Sequence, residues 1–154
     1  MKQVYIETIL LIERLHRRFL DVIKAELDRL GADDINNVQT MILYNISGEQ
    51  LTVGELTNRG YYQGSNVSYN VKKLVETGYL IQEKAPHDKR STRVRVSDKG
   101  LELCEKIDAL YQRNVESLNE KQQPSFDNLT ANNKTLNELE QFWTDYINNM
   151  FRMH

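Results

Sequence analysis

The stretch from Leu51 to Leu101 constrains the fold most, because it carries a helix start or stop signal every few residues. In Leu51-Thr52-Val53-Gly54-Glu55-Leu56, Thr52 can cap a helix and Glu55, three residues on, can reach back to it. Leu51 and Leu56 flank that box as a hydrophobic staple. Gly60 should end this short helix, since glycine accepts the left-handed conformation that a helix end often needs. Ser65 can cap a second helix, Asn66 to Thr77, in which Val67, Val71, Leu74 and Val75 fall on one face. Gly78 should close it, with Tyr79 packing back on Leu74.

Two short helices joined by a tight, glycine-bearing turn read as a helix-turn-helix. The next residues extend the reading. Tyr79 to Lys84 suits a strand, and Thr92 to Val96 alternates Arg93 and Arg95 with Val94 and Val96. Between them lies a polar tip, Ala85 to Ser91. A hairpin over about 79–97, valines inward and arginines outward, makes a wing beside the second helix. Ser97 then caps a third helix, stapled by Val96 and Leu101.

These residues resemble the MarR family of bacterial winged-helix regulators. The resemblance rests on Leu51-Thr-Val-Gly-Glu-Leu56, Ser65-Asn-Val-Ser68, Asp88-Lys-Arg-Ser91 and Val94-Arg-Val-Ser-Asp-Lys-Gly100, the wing pattern being the most specific part. It implies a homodimeric repressor or activator on double-stranded DNA, with a recognition helix over about 65–77 in the major groove. It also implies that Arg90, supported by Asp88, reaches into the minor groove. Tyr69 and Asn70 depart from the pattern, where many members carry arginine and an aliphatic residue. That departure bears on which operator is read.

The charge distribution agrees. The chain of 154 residues has a formal net charge of -2, which alone argues against a nucleic-acid partner. Yet Arg59 to Arg95 holds eight bases against three acids (+5), leaving twelve of the 20 bases and nineteen of the 22 acids (-7) elsewhere. A basic segment on an acidic body is the footprint of one face that meets phosphate. The length suits a single domain, 1–154, with a winged helix-turn-helix region at 33–100 and a helical dimerisation region at 1–31 and 101–154. Met1-Lys2-Gln3 leads into a charged amphipathic helix without a signal-type apolar core, and no apolar run approaches a bilayer's thickness. With one cysteine, Cys104, no disulfide framework is possible, and a reducing cytoplasm is expected.

Outside the central stretch the pattern is helical. Tyr5 to Leu30 carries Ile9, Ile12, Phe19, Val22, Ile23, Leu27 and Leu30, with Leu10, Leu11 and Leu15 off the main stripe and Gly31 at its end. Asp34 or Asn36 starts the next helix, with Val38, Met41, Ile42, Leu43 and Ile46. From Asp98 an apolar series runs through Leu101, Cys104, Ile107, Tyr111, Val115 and Leu118 until Pro124 breaks it. The last helix repeats at seven, Leu129, Leu136, Trp143 and Met150, with Leu139 and Tyr146 between them, which is a coiled-coil-type seam. It can pack on the chain's own first helix, but apolar helices at both ends favour a dimer interface of Ile9, Ile12, Leu136, Leu139, Trp143, Tyr146 and Met150.

The mainly α chain with its small β-hairpin wing thus has a candidate DNA face: Ser65, Asn66, Ser68, Tyr69, Lys72, Lys73, Asp88, Arg90, Arg93 and Arg95. The crowded helix start suits base and backbone contact, and the two lysines suit phosphate. Tyr61 and Tyr62, in the turn, pack there or bond phosphate. The family resemblance further implies a small aromatic or phenolic effector, in a cleft that Ile9, Glu13, His16, Arg17, Thr40 and Tyr44 could line, with Arg17 as the cation. His16 otherwise reads as a partly buried polar residue, and Cys104 as core packing. No metal motif, phosphate loop or nucleophile elbow is present, so neither an enzyme nor a cofactor is expected. The competing reading is a winged-helix module that binds protein, which the outward arginines disfavour.

Overall fold

The computed structural model describes residues 1–46, 48–59, 64–85 and 87–153, with backbone alone at 64, 65, 85 and 88–91. It falls into two compact units, Met1–Asp108 and Ala109–His154. In chain order the elements are α1 (Lys2–Leu30), α2 (Asn37–Ile46), β1 (Leu51–Thr52), α3 (Val53–Asn58), α4 (Gly64–Glu76), β2 (Leu80–Ala85), β3 (Asp88–Val96), α5 (Asp98–Lys121) and α6 (Phe126–Arg152).

Local signals explain most of the boundaries. The Thr52 hydroxyl accepts from Glu55 N at 3.1 Å and starts α3. The Asn36 side chain accepts from Gln39 N (2.8 Å) while the Gln39 side-chain carbonyl accepts from Asn36 N (3.1 Å), a complete capping box for α2. Gly78, at φ 85, ends α4 in a Schellman arrangement: Tyr79 N donates to Leu74 O and Gly78 N to Val75 O. Gly31, at φ 70, ends α1 in the same way, through Ala32 N to Leu27 O and Gly31 N to Asp28 O.

The sheet is antiparallel in the order β1-β3-β2. Leu80 faces Val96, Gln82 faces Val94 and Glu83 faces Arg93, while the short β1 sets Leu51 opposite Val94. Val94 and Val96 are buried and Arg93 and Arg95 exposed, as the alternation requires. The core of this unit draws Ile23 from α1, Ile42, Leu43 and Ile46 from α2, Val67 and Leu74 from α4, Val94 from β3 and Ile107 from α5.

Three expectations need correction. Helix α4 begins at Gly64, so Ser65 stands in its first turn and does not precede it as the cap. The wing tip is no long open loop: β3 already begins at Asp88, opposite Ala85, and an irregularity between Lys84 and Ala85 absorbs the extra residues before Thr92. In α5 the buried stripe is Leu103, Ile107 and Leu110, and Leu101 of the expected series stays 42% exposed. The helix has apolar residues on two sides, and periodicity alone favours the longer series. Helix α6, whose start the sequence left open, begins at Phe126, capped by Ser125.

A polar cluster ties the α1–α2 connection to the start of the wing. Asp34 accepts from the Tyr79 hydroxyl and from Lys99 Nζ, both at 2.6 Å, and Lys99 lies 4.3 Å from the Tyr79 ring centroid. The Lys99 and Tyr79 bonds hold the Asp34 carboxyl below the usual carboxylate range. A depressed carboxylate adds stability above its unfolded pKa and loses it as pH falls through the folded value. Asp34→Ala should therefore cost about 1 kcal/mol at neutral pH, kept small by solvent around a side chain that is 40% exposed. The difference from the natural chain should vanish on acidification below the ordinary carboxylate range, as urea titrations at pH 7 and pH 3 would test. A gap that persists at pH 3 would remove the charge from the explanation.

Candidate nucleic-acid interface

Helix α4 has two chemically distinct sides. Val67, Asn70, Val71 and Leu74 are buried, none more than 9% exposed. Asn66, Ser68, Tyr69, Lys72 and Lys73 all face outward, with Tyr69 61% exposed. The spacing makes two adjoining rows, 66-69-73 and 68-72, because residues three and four apart share a helix face. Lys73 Nζ lies 6.0 Å from the Tyr69 ring centroid and 3.5 Å from Glu76. Lys72 has no ion-pair partner among the described residues.

On the wing, the two arginines are not equivalent. Arg95 Nε donates to Glu83 Oε1 at 3.0 Å, and Gln50 Nε2 holds the other carboxylate oxygen at 3.1 Å. Arg93, on the same outer face, has no ion-pair partner among the described residues. Among the described residues it is the less encumbered cation for phosphate. The Asp88 and Arg90 side chains, and Gly60, Tyr61 and Tyr62, lie outside the described residues, so the expectations for them gain no geometry.

Two features escaped the sequence reading. Arg59, directly after α3, pairs with Glu49 at 2.6 Å and donates to Asn45 O at 3.4 Å, which spends one base of the central segment on the fold. Asn70, noted only as a departure, is buried and bonded to Gln39 of α2 at 3.2 Å. A polar residue on an otherwise apolar stripe was its one sequence signal.

The six residues expected around an effector differ in exposure and partners. Thr40 is 1% exposed with its hydroxyl donating to Asn36 O, so it belongs to the core and lines no cleft. The Tyr44 hydroxyl donates to Asp108 at 2.5 Å. Glu13, Arg17 and His16 are exposed, correcting the partly buried reading of His16, and Ile9 is half-buried. An open hollow of the Met1–Asp108 unit lies beside α1, bordered by Leu11, Leu15, Leu20, Arg14, Arg17 and Asn37. It shares only Arg17 with the expected set.

Cys104 is half-buried, and burial together with Asp108 pushes its thiol up to about 11, so it stays protonated at neutral pH. Among the described residues no group of three His, Cys, Asp or Glu could hold a metal ion, and no helix is long and apolar enough to cross a membrane.

Comparison with known proteins places this geometry. The sequence profile described as "Winged helix DNA-binding domain" matches residues 35–100. The exopolysaccharide II synthesis transcriptional activator ExpG of Rhizobium meliloti (strain 1021) is 39% identical over 139 residues, which are 90% of this chain and 71% of that protein. Among solved structures, Staphylococcus aureus MarR in complex with salicylate and kanamycin superposes with a TM-score of 0.75 at 20% identity, covering 93% of this chain and 94% of that one. Streptococcus pneumoniae FabT in complex with DNA gives 0.73 at 17% identity, covering 92% and 98%. At those identities the structures establish the fold, and the Rhizobium relative establishes kinship. The chain is a transcriptional regulator with a winged-helix DNA-binding domain, not an enzyme. It belongs to the MarR family of winged helix-turn-helix regulators.

Proposed function

We propose that the protein binds a pseudo-palindromic operator as a homodimer, with α4 of each copy in the major groove and the wing against the flanking backbone. The observation that carries this reading is the two-row polar face of α4 opposite its buried stripe. Asn66, Ser68 and Tyr69 then meet base edges, and Lys72 and Lys73 meet phosphates. Ser65 adds to the helix start that faces the duplex. Arg90, held by Asp88, enters the minor groove, and Arg93 and Arg95 flank it. The two-half-site geometry asks for half-sites about one helical turn apart. The DNA-bound FabT structure lends support through its shared fold. The sign of control follows from where the operator lies, and the activator among the relatives makes activation the first outcome to look for.

Binding to single-base operator variants at two salt concentrations tests the division of labour. Arg90→Ala should weaken every site by a similar factor and flatten the salt dependence, by up to about 0.9 in log-log slope for each phosphate that it leaves without a cation. Asn66→Ala and Tyr69→Ala should instead change which bases are preferred, at about 1–3 kcal/mol per good base contact. If Arg90→Ala leaves affinity untouched, the wing is no DNA arm and protein binding becomes the better reading.

The proposal extends to control by a small aromatic anion, for which the salicylate complex of Staphylococcus aureus MarR is the support. The hollow beside α1 offers apolar walls and the guanidinium groups of Arg14 and Arg17. Such a ligand should release DNA by favouring a dimer with mismatched half-site spacing, and linkage then requires DNA to weaken the ligand by the same factor. A thermal-shift panel of aromatic carboxylates and phenols checks it; no shift from any of them ends the idea.

A further inference from the structure

We infer that Gln39 and Asn70 are positioning residues that fix the rotation of α4 about its axis, and so decide which bases Asn66 and Tyr69 can read. The inference rests on the reading of α4 as the recognition helix. Gln39 Nε2 donates to Asn70 Oδ1 at 3.2 Å, and Asn70 Nδ2 donates to Asn66 O at 2.8 Å. Both side chains are only 9% exposed. At its other end, Gln39 Oε1 accepts from Asn36 N at 3.1 Å. Reversing either amide would set donor against donor or acceptor against acceptor, so the chain of bonds has one orientation.

The reference end of this chain does not move freely. The first turn of α2 is closed by the Asn36–Gln39 box, and Asn37 Nδ2 ties it to Leu20 O of α1 at 3.1 Å. Apolar contacts of Val67, Val71 and Leu74 hold α4 down but are non-directional and tolerate small rotations. A hydrogen bond is directional, with a narrow range of length and angle. The lever is long: a rotation of roughly 20° carries the tip of a tyrosine side chain about 3 Å, enough to exchange one base edge for another. The polar pair therefore supplies specificity where the apolar stripe supplies stability.

The test uses the full chain and a random duplex pool, from which the natural protein selects a best site. Asn70→Leu, Gln39→Met and the double variant are then titrated against all single-base variants of that site, beside Val71→Ala, which destabilises the same helix without touching the amides. The expected result is about a tenfold loss of discrimination at the base pairs nearest α4 in the three amide variants, with the salt slope unchanged. Val71→Ala should lower the melting temperature and keep the discrimination. The double variant leaves no orphaned amide between the two helices, so it answers for the pair if Asn70→Leu alone fails to fold. Unchanged discrimination in the amide variants would overturn the inference while leaving DNA binding intact. A natural protein that selects no site would remove both.

Discussion

Gly100→Ala should destabilise the protein by about 3 kcal/mol, the upper part of the usual range for forcing an extra methyl into a packed site. A Cβ at this position would stand 2.5 Å from Tyr79 O, 2.6 Å from Val96 Cγ1 and 3.3 Å from Leu43 Cδ1. The first of these atoms cannot step aside. Tyr79 O already accepts from Ser97 N and from the Ser97 hydroxyl, each at 3.0 Å. The single proton of that hydroxyl is shared with Gly78 O at 2.5 Å, and its oxygen accepts from Gly100 N at 3.1 Å, capping α5. Ser97 and Gly100 thus act together: the serine clamps the end of α4 and the start of β2 to α5, and the glycine lets that helix approach the clamped carbonyl. For a chain of this size the loss corresponds to roughly 10 °C in melting temperature. Urea and thermal unfolding would measure it, and a change under 2 °C would mean that α5 shifts without cost. Ser97→Ala should be milder, about 1 kcal/mol for the cap.

The Ser97 cap was legible because a cap is a local event. So were Thr52, Gly31 and Gly78, each of which acts within a few residues. The two-residue β1 was not legible, because Leu51 and Thr52 become a strand only where β3 passes beside them. Nor was the Gln39–Asn70 bond, whose partners stand 31 residues apart. In α5, Leu101 and Leu103 are equally apolar in sequence, and only the packing of the winged unit makes 103 the buried one. The candidate DNA face on α4 was readable from periodicity, whereas the neutralisation of Arg95 by Glu83 depended on strand register.

Replacing both Leu139 and Trp143 with aspartate should convert the proposed homodimer into a single chain and lower affinity for a two-half-site duplex by about two to four orders of magnitude. The ground is the surface of α6, none of whose described residues is buried. Leu139 and Trp143 are half-covered, and Leu136, Tyr146 and Met150 are 44%, 57% and 49% exposed along the same side. Ile147 and Phe151, at 51% and 77%, widen the apolar face beyond the heptad series that marked it in the sequence. In α1, Ile9 and Ile12 are half-buried while Leu10, Leu11 and Leu15 are 51%, 41% and 65% exposed. So much apolar surface on two long helices asks for a covering partner, and a second copy of the same chain supplies a matching surface. The loss in DNA affinity follows from linkage of two weak sites: once one α4 is docked, the other sees its half-site at an effective concentration that a monomer cannot reach. Affinity for an isolated half-site should stay within a few-fold, because neither substitution lies in the Met1–Asp108 unit that carries α4 and the wing. Light scattering at micromolar concentration, with titrations against whole and half operators, reads both effects. A variant that remains dimeric, or that loses half-site and whole-site affinity equally, would show that α6 is not the dimer seam.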